Sequence, residues 1–462
     1  MRRIFLGIAV CFIVGLPHLH AQQFYVSETL KRAIDAALME DKGLANHDLE
    51  IQKLTLQRKE VLNKYIPTID AMAMYGYFNN TLGIDLPTLN LPITGISLFD
   101  GQQNFKNRGN LFFGGLTAKS VLFSGGQIIN GAKAIEAKKQ GTEYLASPKK
   151  DSVIRDVVYS FDQIRLLTEA QKLVDESEVR LNKERERVEK AIANGLAIPY
   201  DRDKIKLAVL ELASKKIELE GKRKVLYQKL HVLTHYSNAK IDSVVYQLEP
   251  IVLLEPLNTD NRAEIKALEN FKTAYQFMLK KEKGSLLPVV GAFGSYSYAS
   301  VFDAKTTFSG PVTNNNYSLG LNSAKLSPNF IAGVALKWNI FSGFERKHKI
   351  DEAKINIQQI ENKLADSREK VQLQLQNNNV QYETLLRQID IAAQREKIAK
   401  NNLLIAQKQY NTGLINVTER LTVETDIYQT SLQKINSIVE QRKLALETIS
   451  ATGNLQNSLQ VK

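Results

Sequence analysis

From Phe344 to Thr412 the sequence contains neither glycine nor proline. Helix interiors reject both, because glycine costs backbone entropy and proline removes a donor and clashes with the preceding turn. The stretch therefore predicts one uninterrupted helix, a rod of roughly 100 Å at 1.5 Å per residue. Ordinary globular helices run about 11–12 residues, so such a rod must pack on neighbours of similar length. Its apolar pattern repeats every seven residues through Ile350, Ile357, Leu364, Val371, Asn378, Leu385, Ala392, Ala399 and Ala406. A second row passes through Ala353, Ile360, Tyr382, Ile389, Leu403 and Tyr410. A seven-residue repeat is the seam of a left-handed coiled coil. The middle, from Val371 to Gln381, is rich in uncharged glutamine and asparagine.

The chain starts with Met1-Arg2-Arg3, an apolar run from Ile4 to Leu16, and Leu19-His20-Ala21 before Gln22. That order predicts a secretory signal peptide over 1–21. The run is too short to span a bilayer as a helix, which takes about 20 residues. The only cysteine, Cys11, lies inside it, so the mature chain is expected to have no disulfide, no thiol nucleophile and no cysteine metal site. Val10 before Cys11 argues against lipidation. The formal charge of +12 would suit nucleic acid, but an export signal points away from that partner.

The sequence repeats itself. Val121-Leu-Phe-Ser-Gly-Gly126 resembles Asn339-Ile-Phe-Ser-Gly-Phe344, and the spacing from Phe123 to Phe341 also sets Lys119 on Lys337, Asn194-Gly195-Leu196 on Thr412-Gly413-Leu414, and Asp201-Arg202 on Glu419-Arg420. Each copy has a helix (about 28–64 and 262–284) ending before Pro67 or Pro288. An alternating stretch follows (Thr68–Tyr77 and Val289–Tyr298), then a long polar loop (about 79–110 and 299–328). A second strand leads into the Phe-Ser-Gly turn and a long helix. In Phe330–Phe341 one face reads Phe330, Ala332, Val334, Leu336, Trp338, Ile340, and the other Ile331, Gly333, Ala335, Lys337, Asn339. A continuous apolar face at period two suits a strand between lipid and a wetter interior. Four strands cannot close a barrel, and open edges are not tolerated in lipid, so several copies must contribute to one barrel.

These features together resemble the TolC family of outer-membrane efflux channels. The resemblance rests on the two-fold repeat, Ile66-Pro67 and Leu287-Pro288 at the strand starts, the Phe-Ser-Gly turns, and Tyr410-Asn-Thr-Gly413. It implies a mainly helical protein with a membrane β part, in which a long-helix α-barrel joins four strands per protomer in a trimeric 12-stranded β-barrel. The chain then divides into the signal peptide (1–21), an amino-terminal segment with an ascending helix (22–66), a first membrane hairpin (67–125) and a first periplasmic helical hairpin (126–234). An equatorial segment (235–261), an ascending helix (262–287), a second membrane hairpin (288–343), a second periplasmic helical hairpin (344–448) and a carboxy-terminal equatorial segment (449–462) complete it.

The implied function is passive. The protein would be the exit duct of a tripartite efflux or type I secretion system in the outer membrane, passing small molecules or polypeptides. Its partners would be two further copies, a periplasmic adaptor, an inner-membrane pump and outer-membrane lipid. The same resemblance makes Gly195, Leu196, Gly413 and Leu414 the adaptor-contacting tip turns. It makes Asp201, Tyr410 and Glu419 gate residues, with Ile415 and Thr422 departing from the family's gate arginine and second constriction acid. Asp201 near a helix start is equally suited to capping.

Other features read plainly. His231 and His235, four apart, lack a third ligand and read as ordinary histidines. Lys183–Lys190 reads as a solvated helical face. Gly131, Gly141 and Pro148 interrupt the first long helix, with a bend expected near Ala146–Pro148. No nucleophile elbow, phosphate loop or paired acid and base is present, which argues against an enzyme and against any cofactor. The competing reading is an exported coiled-coil structural or adhesin-like protein without a pore, which leaves the paired hairpins unexplained.

Overall fold

The computed structural model describes residues 24–90, 97–253, 262–309, 315–453 and 455–461; the expected signal peptide and Cys11 lie outside them. In chain order the elements are β1 (Phe24–Val26), α1 (Glu28–Glu40), α2 (Lys42–Leu62), β2 (Thr68–Asn90), β3 (Ser97–Phe123), α3 (Gln127–Tyr144), α4 (Ala146–Ala193) and α5 (Pro199–Thr234). They continue with α6 (Asn238–Asp242), α7 (Ala263–Gly284), β4 (Val289–Ser309), β5 (Asn316–Lys337), α8 (Glu345–Asn411), α9 (Val417–Ala451), α10 (Leu455–Ser458) and β6 (Leu459–Val461). The protein is mainly helical, with one four-stranded antiparallel sheet in the order β2-β3-β4-β5. Described residues up to 51, between 140 and 269 and from 362 onward form one compact unit; those between 52 and 139 and between 270 and 361 form the other.

The 67-residue α8 is unbroken. Its seam is buried at Ala353, Ile360, Leu364, Asn378, Tyr382, Ile389, Ala392, Ala399 and Ala406. The expected first helix is split instead: Asp41 adopts an extended backbone, and its carboxylate accepts from the Leu44 amide at 2.7 Å. An acid that can cap the next turn competes with helix continuation. Gly131 and Gly141 remain helical inside α3, and the break falls at Leu145, with Pro148 tolerated in the first turn of α4.

The long polar loops expected at about 79–110 and 299–328 are mostly strand. Gly, Asn and Thr in these stretches suggested turns, yet the β2–β3 ladder runs without a slip from Thr68–Lys119 to Leu86–Gly101. The β4–β5 ladder reaches Ser309–Asn316. A bulge between β3 and β4 falls beside Asp303, whose φ of 48° accommodates the extra residue. β5 stops at Lys337, short of the expected end, and the Trp338 indole donates to the Leu286 carbonyl at 3.1 Å.

Paired residues share a face. One face of the lower sheet carries Ile69, Tyr75, Leu116, Tyr296, Phe330 and Val334, all exposed and none charged. The opposite face is mixed, with Asp70, Thr117, Ser295 and Asn329. There the Thr117 and Ser295 hydroxyls pair at 3.3 Å, and the Asn329 amide donates to Ser297 at 3.2 Å. At the foot of the sheet, Gly125 (φ 62°) and Gly126 (φ 79°) turn the chain into α3. A side chain on Gly125 would lie 2.3 Å from the Gly284 carbonyl, so this contact requires glycine. The matching positions in the second copy are Gly343 (φ 61°) and Phe344 (φ 67°).

In the other unit a conventional core forms where α1, α4, α5 and α9 meet, around Leu30, Ile34, Ile154, Phe161, Leu230 and Ile449. The segment after α6 is pinned to it by buried polar groups. Gln441 exchanges two hydrogen bonds with the Ile251 backbone, at 3.0 and 2.7 Å. The Tyr382 hydroxyl donates to the Ile251 carbonyl (3.0 Å) and accepts from the Leu253 amide (2.9 Å). Arg442 bonds the fully buried Asp162 at 2.8 Å and the Glu249 carbonyl at 2.9 Å. β1 and β6 pair in parallel, so the two ends of the described chain meet.

Candidate functional site

The two long helices α4 and α8 end in the same way. Gly195 (φ 71°) and Gly413 (φ 74°) adopt left-handed conformations that glycine supplies at no steric cost. The Leu196 amide donates to the Ala191 carbonyl (2.8 Å) and the Gly195 amide to the Ile192 carbonyl (3.0 Å). The Leu414 amide donates to the Gln409 carbonyl (2.9 Å) and the Gly413 amide to the Tyr410 carbonyl (3.1 Å). This is the Schellman arrangement, which satisfies the last carbonyls of a helix. In a Schellman motif the apolar residue after the glycine normally folds back onto the helix. Here Leu196 and Leu414 are instead 83% and 75% exposed. Ile198 and Tyr200 beside them are also exposed.

The returning helices start differently. Asn416 caps α9, accepting from the Glu419 amide at 3.0 Å, while the Glu419 carboxylate accepts from the Asn416 amide at 3.0 Å. This capping box commits Glu419 locally. Asp201 holds the equivalent position in α5, but the cap residue there is Ile198, with no side-chain oxygen to complete the box, and Pro199 opens the helix. Its carboxylate acts on the Tyr410 hydroxyl. Burial, Glu184 and Asp201 push that hydroxyl up to about 12, with Arg420 opposing them. Ile415 and Thr422 carry no charge; Thr422 donates to the Thr418 carbonyl at 3.0 Å.

Behind Tyr410 lies a group of buried charges that the sequence reading missed. Arg420 is 1% exposed and donates to Glu424 at 3.0 Å; Arg180 donates to the same carboxylate at 2.8 Å and to Ser177 at 3.0 Å. Glu184, read as part of a solvated face, is 3% exposed. Burial pushes its carboxyl above the ordinary value, opposed by Arg187 and Arg420. Its Oε1 and the Nε of Arg420 have no hydrogen-bond partner. Val188 is buried beside it, and the rest of 183–190 is more exposed, with an Arg185–Glu189 pair at 4.0 Å. A signal for these charges was present. Val174, Ser177, Leu181, Glu184 and Val188 alternate by three and four, as do Val417, Arg420, Glu424, Ile427 and Ser431. Those are seam positions of two helices packed on each other.

Elsewhere, His231 Nδ1 lies 2.9 Å from the Tyr236 carbonyl, and His235 Nδ1 lies 3.2 Å from Glu40. Among the described residues no group of three His, Cys, Asp or Glu could hold a metal, and no helix is long and apolar enough to cross a membrane.

Residues 261–452 match the family model described as outer membrane efflux protein. The sequence likeness to that family covers those residues. Similar folds extend the likeness to almost the whole chain. CusC, whose crystal structures concern folding and transmembrane channel formation, is 16% identical, with a TM-score of 0.72 and 93% of each chain covered. The CmeC outer membrane channel of Campylobacter jejuni is 15% identical, with a TM-score of 0.72 over 98% of this chain and 94% of that one. The open-state MtrE outer membrane channel of Neisseria gonorrhoeae is 16% identical, with a TM-score of 0.66 over 93% and 90%. A search of curated proteins found no match. The TolC-family resemblance read from the sequence therefore stands. The solved structures that share this fold include outer membrane channels. The structures it resembles are channels, and the family model matched by 261–452 is one of efflux proteins.

Proposed function

We propose that three copies of this chain form a single exit duct, joined by a periplasmic adaptor to an inner-membrane pump that supplies the energy. The observation that carries this reading is the sheet: in its lower half one face is mostly apolar, and both outer strands, β2 and β5, are long and lack a neighbour among the described residues. A bilayer tolerates such edges only when another copy closes them. Exposed apolar stripes on the helices favour the same assembly: Leu210, Ile217, Val225 and Val232 on α5, and Leu373, Val380, Ile398 and Ile405 on α8. Stripes of that kind mark contact surfaces.

In this reading the exposed Leu196 and Leu414, set by the Gly195 and Gly413 turns, receive the adaptor. Asp201 and Tyr410 form the latch of the closed entrance, while Glu419 adds negative charge there as it caps α9. Energy enters at the pump, and cargo, whether small molecules or polypeptides, passes without chemical change.

The test is reconstitution of the purified protein in planar bilayers. Discrete channels and a cross-linked trimer are expected; a protein that stays soluble and monomeric without detergent refutes the duct. Asp201→Ala and Tyr410→Phe should each raise single-channel conductance, and unchanged conductance in both removes the latch.

A further inference from the structure

The membrane strands are far longer than a membrane needs. β2 has 23 residues and β3 has 27, whereas about 9–11 residues cross an outer membrane. Along β2 the character of the sheet changes near Phe78. Below that level the outward face is the apolar one described above, with Lys325 of β5, paired to Ser300, its one charged residue near the boundary. Above it the same face carries Thr81, Asp85, Lys106, Arg108, Lys305 and Thr307. A Lys or Arg facing lipid at mid-bilayer costs about 2–4 kcal/mol, so this upper half stands in water beyond the lipid.

The opposite face changes the other way. Leu82 is paired with Phe105, the Phe105 and Phe308 rings lie 5.5 Å apart, and the Phe308 and Tyr317 rings lie 6.0 Å apart. One apolar row thus crosses all four strands at a single level. The row beneath it is tied by side-chain hydrogen bonds, with Asn107 donating to Asn80 at 3.2 Å and Thr306 donating to Asn107 at 2.9 Å. A water-exposed sheet has no reason to set aromatic groups in a row on one face unless that face is enclosed.

We propose that Leu82, Phe105, Phe308 and Tyr317 form an apolar collar inside the extracellular end of the duct, a second barrier distinct from the helical entrance. This rests on the duct reading, in which the mixed face lines the lumen. Three copies place twelve such side chains around one level. An apolar constriction holds water and ions poorly, and so resists leak without a charged gate. Cargo with an apolar surface can pass by displacing the aromatic side chains, whereas small hydrophilic solutes from outside meet a dewetted ring.

Single-thiol variants of the full chain in intact cells test this, each also carrying Cys11→Ser. A membrane-impermeant fluorescein maleimide is added from outside. Met72→Cys lies on the lumen face below the collar, Tyr75→Cys on the lipid face at a similar level, and Lys106→Cys on the outward face beside the collar. Lys106→Cys should label at once and Met72→Cys slowly. Phe105→Ser with Phe308→Ser should speed labelling of Met72→Cys at least about tenfold. Phe308→Thr alone should speed it less, which guards against a variant that fails to assemble. Equal rates with and without the collar overturn the proposal, as does a Lys106→Cys that stays unlabelled. Labelling of Tyr75→Cys with Met72→Cys silent in every background would mean that the faces are reversed, and the duct reading would fall as well.

Discussion

Glu424 accepts from two arginines, Arg180 and Arg420, inside a helix seam. Removing one partner of a buried pair leaves an uncompensated charge, which costs about 3–5 kcal/mol. Glu424→Gln is therefore expected to lower the thermal unfolding midpoint strongly. Glu184 behaves in the opposite sense. Its carboxyl is raised by burial, so between its ordinary value and the raised one the native state binds more protons than the unfolded chain. Stability from this group is greatest at low pH and declines as pH rises through that window. Glu184→Gln should remove this slope and leave the protein no less stable at pH 7, as unfolding scans from below the ordinary glutamate range up to pH 7 would show. Tyr410 and Asp201 were singled out in the sequence only through the family resemblance. Glu184 and Arg420 were not, because charge suggests solvent until the seam spacing on both helices is counted.

At the level of elements, the two helix turns share carbonyl satisfaction but differ in how the next helix begins. Asn416→Ala removes the capping box of α9 and should cost about 0.5–2 kcal/mol. Ile198→Asn should stabilise the start of α5 by supplying the oxygen that its first turn lacks. Matched urea melts of the two variants check the contrast, and equal effects would mean that the caps are not the difference. The long helix α8 was legible to within a residue, since a run without glycine or proline leaves no other choice. The strands were legible only in their lower halves. There one face stays apolar, so period two is visible. Above Phe78 the apolar residues move to the other face among Asn, Gly and Thr, and the alternation no longer reads as a single pattern.

For the whole molecule, the likeness between the copies carried most of the fold: the Phe-Ser-Gly turns and the tip glycines recur at one spacing and make the same hydrogen bonds where both are described. What the spacing could not show was the polar pinning of residues 244–253 by Gln441, Tyr382 and Arg442, since nothing in the first copy corresponds to it. Nor did it show that β1 and β6 pair. Deleting residues 459–462 should leave Phe24 and Val26 without their strand partner, so limited proteolysis is expected to trim the amino end faster than in the full chain. The pairing also orders events in time. A ribosome makes Phe24 long before Val461, so the strand at Phe24–Val26 waits unpaired while the residues between are synthesised. Only a chain that reaches Val461 can close that pair, and one terminated before it is left displaying an open strand that a quality-control protease can seize.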